Sequence, residues 1–393
     1  MNRRDFLKLT LAASTLPFSW QALAATAKPD APRFLLVFLR GAYDANSLLV
    51  PVGSQLYYQS RPSIAIPKTS LIGINADWGL HPLMRDTLFP LFSKGQMAFI
   101  PFSGTDDLSR SHFKTQDSIE LGQPTQGSRD YKSGFMNRLA SLIGQPASIA
   151  FSKNVPLIFR GAMTVPNLPL KDGMPPAAFA SAESELIMQM YAGSPLEQQV
   201  KEGFTVRDEA SLSMAGEPEE AARGAVSTRG FEAEAASIAA MMRDRYQLGF
   251  VDIGGWDTHV NQGGLEGTLP KKLTEVARGL SVFSQEMGPA WKNTVVMVIS
   301  EFGRTFRENG NKGTDHGHGT SYWLLGGGIS GGKVAGRQQK LEAGTLFQDR
   351  DTPILNDYRN TLAGLFKAMY GLNQSQLDTI FPGKVSPDDY GLV

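Results

Sequence analysis

The chain has 393 residues, 41% hydrophobic and 19% charged, with 22 Phe and 5 Trp, enough apolar material for a large core and too much for wholesale disorder. Lys+Arg and Asp+Glu are 38 each, so the charge balance recommends neither a nucleic-acid nor an anionic-membrane partner. There is no cysteine, which removes disulfide scaffolds, thiolate zinc sites, cysteine-ligated iron–sulfur clusters and cysteine nucleophiles together.

The N-terminus reads as an address. Arg3-Arg4 is followed by Phe6-Leu7 and Lys8, then by a weakly apolar stretch over 9–18, and Ala22-Leu23-Ala24 has the small-x-small pattern of a signal-peptidase site. The apolar run is broken by Thr, Ser and Pro and falls short of the about 20 apolar residues a bilayer span needs. This pattern resembles a twin-arginine export signal. It predicts a signal peptide over 1–24, cleavage after Ala24, the twin-arginine export machinery as a partner and a periplasmic or secreted mature protein.

Arg33–Leu39 is a continuous apolar run ending in Arg40-Gly41, the mark of a strand buried on both faces. Similar runs stand at Gly95–Pro101, Leu248–Ile253, Thr294–Ser300 and Tyr322–Gly326. Phe231, Ala235, Ile238, Met242 and Tyr246 recur at helical spacing, as do Leu273, Val276, Leu280 and Phe283. A last helix over Tyr358–Tyr370 follows Asn356-Asp357 as a cap and stops before Gly371. Met174–Pro176 and Ser211–Arg229 read as connecting loops, with a mobile segment expected near 205–229. The alternation predicts one α/β domain over 25–393, a mostly parallel central sheet with helices on both faces.

In such sheets ligands gather beyond the carboxyl ends of the strands. The run 33–39 leads into Arg40-Gly41 and Asp44, 248–253 into Gly254-Gly255-Trp256-Asp257-Thr258-His259, and 294–300 into Glu301-Phe302-Gly303-Arg304. Asp315-His316-Gly317-His318 follows in a glycine-rich stretch. Carboxylates and imidazoles delivered by separate strand ends suit a divalent metal, with Asp44, Asp257, His259, Glu301, Asp315, His316 and His318 as candidate ligands. Arg110-Ser111-His112 opens a helical stretch, where free N–H groups favour an anion or a deprotonated hydroxyl, so Ser111 reads either as a nucleophile or as an ordinary cap. Arg304 and Arg110 are the arginines suited to a tetrahedral oxyanion, or to structural ion pairs. His81, in Gly79-Leu80-His81-Pro82, reads as structural. Gly327–Lys333 has the spacing of a phosphate loop, but Val334 stands where its Ser or Thr belongs.

Taken in order, Phe38-Leu39-Arg40-Gly41 with Asp44, Gly79-Leu80-His81-Pro82, Arg110-Ser111-His112-Phe113, Gly255-Trp256-Asp257-Thr258-His259, Ser300-Glu301-Phe302-Gly303-Arg304-Thr305 and Thr314-Asp315-His316-Gly317 resemble an exported bacterial family known only as a domain of unknown function, number 1501. That family is similar to the alkaline phosphatase and sulfatase superfamily. The resemblance spans nearly the whole mature chain and implies one or two divalent metals, Zn, Mn or Ca. It implies Asp44 as the metal carboxylate of the first strand and Ser111, or else Ser109, as the nucleophile. Asp257 and His259 match an Asp/His pair, at i, i+2 where the relatives have i, i+4. Ser300-Glu301-Phe302-Gly303 takes the place of a Ser-Asp-His-Gly turn; Glu301 can ligate and Phe302 cannot. His316 or His318 would be the late histidine.

Two functions follow as expectations. One is a metal-dependent hydrolase or transferase of phosphate or sulfate esters, acting on a small anionic ester, with Ser111 attacking and Arg304 or His112 stabilising the developing charge. The other is a protein of the same fold whose site has decayed and which serves as a binding or assembly partner at the envelope.

Overall fold

Arg33–Leu39 forms β1 in the computed structural model, which describes residues 30–126, 129–170, 188–194, 196–197, 200 and 225–393. Every residue of β1 is buried. Leu35, Val37 and Leu39 enter one apolar layer while Phe34, Leu36 and Phe38 enter the other, which is why the run shows no polar alternation.

The main sheet also contains β2 (Met97–Gly104), β3 (Ser148–Phe151), β4 (Leu248–Ile253), β5 (Thr294–Ser300), β6 (Thr320–Gly326), β7 (Lys333–Val334) and β8 (Asn356–Asp357). Its order is β7–β2–β6–β5–β1–β4–β3, with β8 also paired to β2. Only β6 runs antiparallel to its neighbours among these described strands. The sheet is therefore mostly parallel.

Helices α1 (His112–Leu121), α2 (Phe135–Leu142), α3 (Phe231–Asp244), α4 (Thr268–Glu286), α5 (Tyr358–Tyr370) and α6 (Gln374–Ile380) cover it. The apolar stripes of α3 and α4 join the layer of Leu35 and Val37. Apolar side chains of α1, α2, α5 and α6 join that of Phe34 and Leu36. Helices thus lie on both faces. The Asp357 carboxylate caps α5 by accepting from the Arg359 and Asn360 amides, and Gly371, at φ +66°, ends it. One expectation is corrected here: α5 is not the last helix. Asn373 and Gln376 form a capping box that restarts the chain as α6.

His81 is structural, with Nδ1 accepting from the Leu83 amide and Nε2 3.1 Å from the Gly264 carbonyl. The glycine run before Lys333 leads into the short strand β7 rather than a helix, and Lys333 Nζ donates to carbonyls of Tyr390 and Gly391. It is no phosphate loop. The signal segment 1–24, Met174–Pro176 and residues 205–224 of the expected loop lie outside the described residues.

The topology has one consequence for function. β1, β2, β4 and β5 end along one edge of the sheet, and β6 begins there. The candidate residues all follow or precede these strand ends.

Candidate metal centre

The segment after β5 zips onto the segment before β6. The Thr305 amide donates to the Asp315 carbonyl at 2.9 Å, and the Gly317 amide donates to the Gly303 carbonyl at 2.8 Å. Gly317 permits this approach, because a Cβ there would lie 2.3 Å from the Arg304 carbonyl carbon. Gly41, at φ +120°, does the same beside β4, where a Cβ would lie 2.9 Å from the Asp257 nitrogen. These contacts carry His316 to Asp257 across about 60 residues of sequence.

Four side chains meet. His316 Nε2 lies 3.0 Å from His112 Nε2, 3.1 Å from His259 Nε2 and 3.1 Å from Asp257 Oδ1. Asp257 Oδ1 is also 2.9 Å from His259 Nε2, and Oδ2 is 3.5 Å from His112 Nε2. His112, Asp257 and His316 each offer one ligand atom within 4.8 Å of the others.

The far nitrogens explain what this group needs. His112 Nδ1 lies 2.7 Å from Glu301 Oε1, His259 Nδ1 3.1 Å from Asp315 Oδ1, and His316 Nδ1 3.1 Å from the Arg110 carbonyl. All three partners only accept, so each ring donates from Nδ1 and, when neutral, turns a bare Nε2 lone pair inward. Arg304 already pairs with the carboxylate, but three inward lone pairs still repel one another unless a proton or a metal cation joins them. Outer acceptors that set the tautomer in this way are the usual support of metal-bound imidazole. Donors about 3 Å apart also suit an ion whose bonds to N and O are about 2.0–2.2 Å.

Electrostatics agree. Burial works against ionised Asp257, but hydrogen bonds from His112, His316 and Arg304 outweigh it and hold the carboxyl well below its ordinary range. Burial also disfavours charged His112, yet its bonds to Asp257 and Glu301 push it up to about 9. Without a metal, the group takes up a proton in its place.

Residues 31–381 match the model of a family described as protein of unknown function, DUF1501. The chain belongs to this family. No curated protein matches it in sequence. Similar solved structures include a protein in the alkaline phosphatase superfamily from Vibrio parahaemolyticus, 11% identical over 94% of this chain and 76% of that one, with a TM-score of 0.42. They also include the C-terminal periplasmic domain of EcEptC from Escherichia coli in complex with Zn, 9% identical over 77% of this chain and 75% of that one, at 0.37. A third is the lipoteichoic acid synthase LtaP from Listeria monocytogenes, 8% identical over 80% and 68%, at 0.36.

Several expected ligands of the DUF1501 chain stand one bond further out. Glu301 is fully buried, and its Oε1 accepts from the Gly41 amide and Gln116 Nε2 besides facing His112. It orients His112 rather than joining the inner group. Asp315 stands behind His259 and accepts from Asn309 Nδ2. Phe302 stacks on His112 with ring centroids 4.9 Å apart. His318 stacks on Phe347 instead of meeting the other histidines, and burial with the nearby Arg110 charge lowers it to about 4.

Both expected anion-binding arginines are already paired with carboxylates. Arg304 is buried, donates from Nη1 to Asp257 Oδ1, and is steadied by Thr314. Arg110 pairs with Asp351 at 2.6 Å, in a left-handed backbone conformation of φ +52° that aims its carbonyl at His316. Asp44 is drawn away as well. Both its oxygens accept from Arg61, and Oδ2 accepts also from Ser47 and Gln262.

Asp44 still reaches the centre through a buried chain. Gln262 donates to Asp44 at 2.7 Å, Thr314 Oγ1 donates to Gln262 Oε1 at 2.8 Å, and Arg304 Nε donates to Thr314 Oγ1 at 3.1 Å. Arg61, Gln116 and Gln262 lie in none of the motifs, so sequence reasoning had no signal for them, and Thr314, though it opens one, was given no role.

The outer position of Glu301 has a measurable consequence. Glu301→Gln keeps the volume but replaces the acidic acceptor behind His112 with an amide. Metal affinity, read by competition with a chelator, is expected to fall about 10–100-fold with the fold retained. Unchanged affinity would remove Glu301 from the support of the centre.

Proposed function

We propose that this protein is an exported, metal-dependent hydrolase or transferase of phosphate or sulfate esters. The observation that supports it most is the convergence of three Nε2 atoms on Asp257 with every Nδ1 already bonded outward. His112, Asp257 and His316, with His259 beside them, would hold a divalent cation. Of Zn, Mn and Ca the donor set favours Zn, since imidazole suits Zn while hard oxygen ligands suit Mn and Ca. When bound, the ion supplies a Lewis acid beside the ester and lowers the cost of ionising a nearby hydroxyl.

The chain supplies the rest. Ser111 occupies the capping position of α1, immediately before His112, yet its hydroxyl makes no capping hydrogen bond. It is therefore left for use as a nucleophile, at a helix end whose dipole favours negative charge. Its Oγ gives its proton to solvent water and bonds to the phosphorus or sulfur as the bond to the ester oxygen breaks, and that departing oxygen takes a proton from water. A second water then releases the acid and restores Ser111. Arg304 keeps Asp257 ionised and in place, and His112, with both nitrogens engaged, serves as a metal ligand instead of meeting the developing charge directly.

Ser111→Ala is expected to lower turnover of aryl phosphates, phosphodiesters or aryl sulfates by at least about 10³-fold, with metal content and circular dichroism preserved. A plain cap would cost about 1 kcal/mol of stability and little activity. Loss in Ser109→Ala alone would move the nucleophile two residues back, and activity in both variants would show that water attacks directly.

Export rests on the leader. No helix among the described residues is long and apolar enough to cross a membrane. Arg3→Lys with Arg4→Lys is expected to hold the precursor in the cytosol on fractionation. Normal arrival in the periplasm would point to the general secretory route instead.

A further inference from the structure

Beside the centre lies a cleft of about 540 Å³ that nothing in the proposed chemistry fills. His112 and Asp257 line one end, and Lys271, Lys272 and Glu275 of α4 line it elsewhere, with Phe113 and Arg229 also on its wall. Small-molecule sites run about 300–1,000 Å³, so this volume holds an organic group well beyond one phosphoryl or sulfuryl unit.

The wall on α4 has a definite charge. A Cβ on Gly255 would lie 2.8 Å from Lys272 Nζ, which places that ammonium over the backbone two residues before Asp257. Lys271 and Lys272 form no ion pair with any described residue, although Glu275 lies one turn further along the same helix. Phe113 is 63% exposed, an apolar surface directly after a member of the donor group. Ammonium groups that pair with no described residue, beside a cleft that opens onto a metal-type centre, suit an anion held at a distance from the reacting atom.

We infer that the substrate carries a second anionic group, a phosphate, sulfate or carboxylate, besides the ester that reacts. Lys271 and Lys272 hold that group while the linking organic portion lies in the cleft against Phe113. This deepens the ester-hydrolase reading and rests on it for the location of the reacting end.

The test is calorimetric binding of glucose 1,6-bisphosphate against glucose 6-phosphate, to zinc-treated and to chelator-treated protein. The two probes share one sugar and differ by one phosphate. The bisphosphate is expected to bind at least about tenfold tighter, the effect of one charge-assisted contact. The Lys271→Ala/Lys272→Ala variant is expected to lose that advantage, with zinc content and circular dichroism checking the fold, while Lys272→Arg keeps it. Equal affinity of the two sugars for the wild type, or an advantage that survives the double substitution, overturns the inference. If no zinc binds and no ester is turned over, yet lysine-dependent discrimination persists, the hydrolase reading fails and the anion subsite stands.

Discussion

Asp257→Ala is expected to abolish tight divalent-metal binding and, with it, the stabilisation that zinc gives the wild type. Among the described residues Asp257 supplies the one carboxylate that meets all three imidazoles, at 2.9 and 3.1 Å from His259 and His316 and 3.5 Å from His112. Without it, three imidazoles remain beside the buried Arg304 cation, an environment that repels a second positive charge. A metal present at a hundredfold excess over its dissociation constant adds about 2.7 kcal/mol. With an unfolding entropy of about 2.1 cal/mol/K per residue, that raises the melting temperature of a chain this long by about 3–4 °C. Elemental analysis and melting curves with and without chelator check both parts. The Asp257→Asn variant keeps an acceptor for Arg304 and so separates lost metal from a disturbed arginine. Stoichiometric zinc in Asp257→Ala would refute the ligand role of Asp257, and a wild type that binds none and does not respond to chelation would favour a decayed site serving as a binding surface.

Asp44→Ala is expected to be the most destabilising single change at this edge of the sheet. Asp44 and Arg61 have no exposed side-chain surface and pair at 2.5 Å. Arg61 Nε and Nη2 also donate to the Phe306 and Thr305 carbonyls, so removal of Asp44 leaves a fixed and uncompensated cation. Breaking a buried pair in this way costs about 3–5 kcal/mol, a fall of about 4–7 °C in melting temperature for a chain of this length.

The pH dependence has a definite sign. Burial works against the ionised carboxyl of Asp44, but the Arg61 charge and hydrogen bonds from Arg61, Gln262 and Ser47 hold it below its ordinary value. Its contribution is therefore complete above the unfolded value of about 3.9 and is lost as pH falls through the lower folded value. Denaturant midpoints measured from pH 7 downward should converge for wild type and Asp44→Ala only in that acid window. Metal affinity should fall as well, because Asp44 anchors Gln262, Thr314 and Arg304 behind Asp257. An unchanged melting temperature at pH 7 would refute the assignment.

How far the sequence reached depended on whether the cause was local. β1, β4 and β5 were legible because a strand covered on both faces must be apolar throughout, and α3, α4 and α5 because burial on one side imposes helical spacing. The caps of α5 were legible for the same reason, since Asp357 and Gly371 act on their own neighbours. α6 was missed: it is seven residues long, and its capping box was not recognised. The edge where ligands gather followed from the carboxyl ends of the apolar runs, and His112, Asp257, His259 and His316 all fall on it.

Which of the candidates meet, and which only support, was decided by tertiary structure. The residue types of Asp44, Glu301 and Asp315 suit a metal as well as Asp257 does, and nothing local distinguishes them. The distinction comes from the partners that folding brings to each: Arg61 for Asp44, Gln116 and the Gly41 amide for Glu301, Asn309 and His259 for Asp315. Asp44 and Glu301, both buried, and the half-exposed Asp315 each take the donors that packing sets beside them rather than any set by spacing. The sequence by itself determined the long buried strands, three of the covering helices and the strand ends that carry the chemistry, because hydrophobic pattern is a property of contiguous segments, whereas strand order, β3 and α2 came only from the fold. Only the folded chain decided that His112, His259 and His316 turn their Nε2 atoms toward Asp257, because that depends on acceptors arriving behind each ring from separate loops.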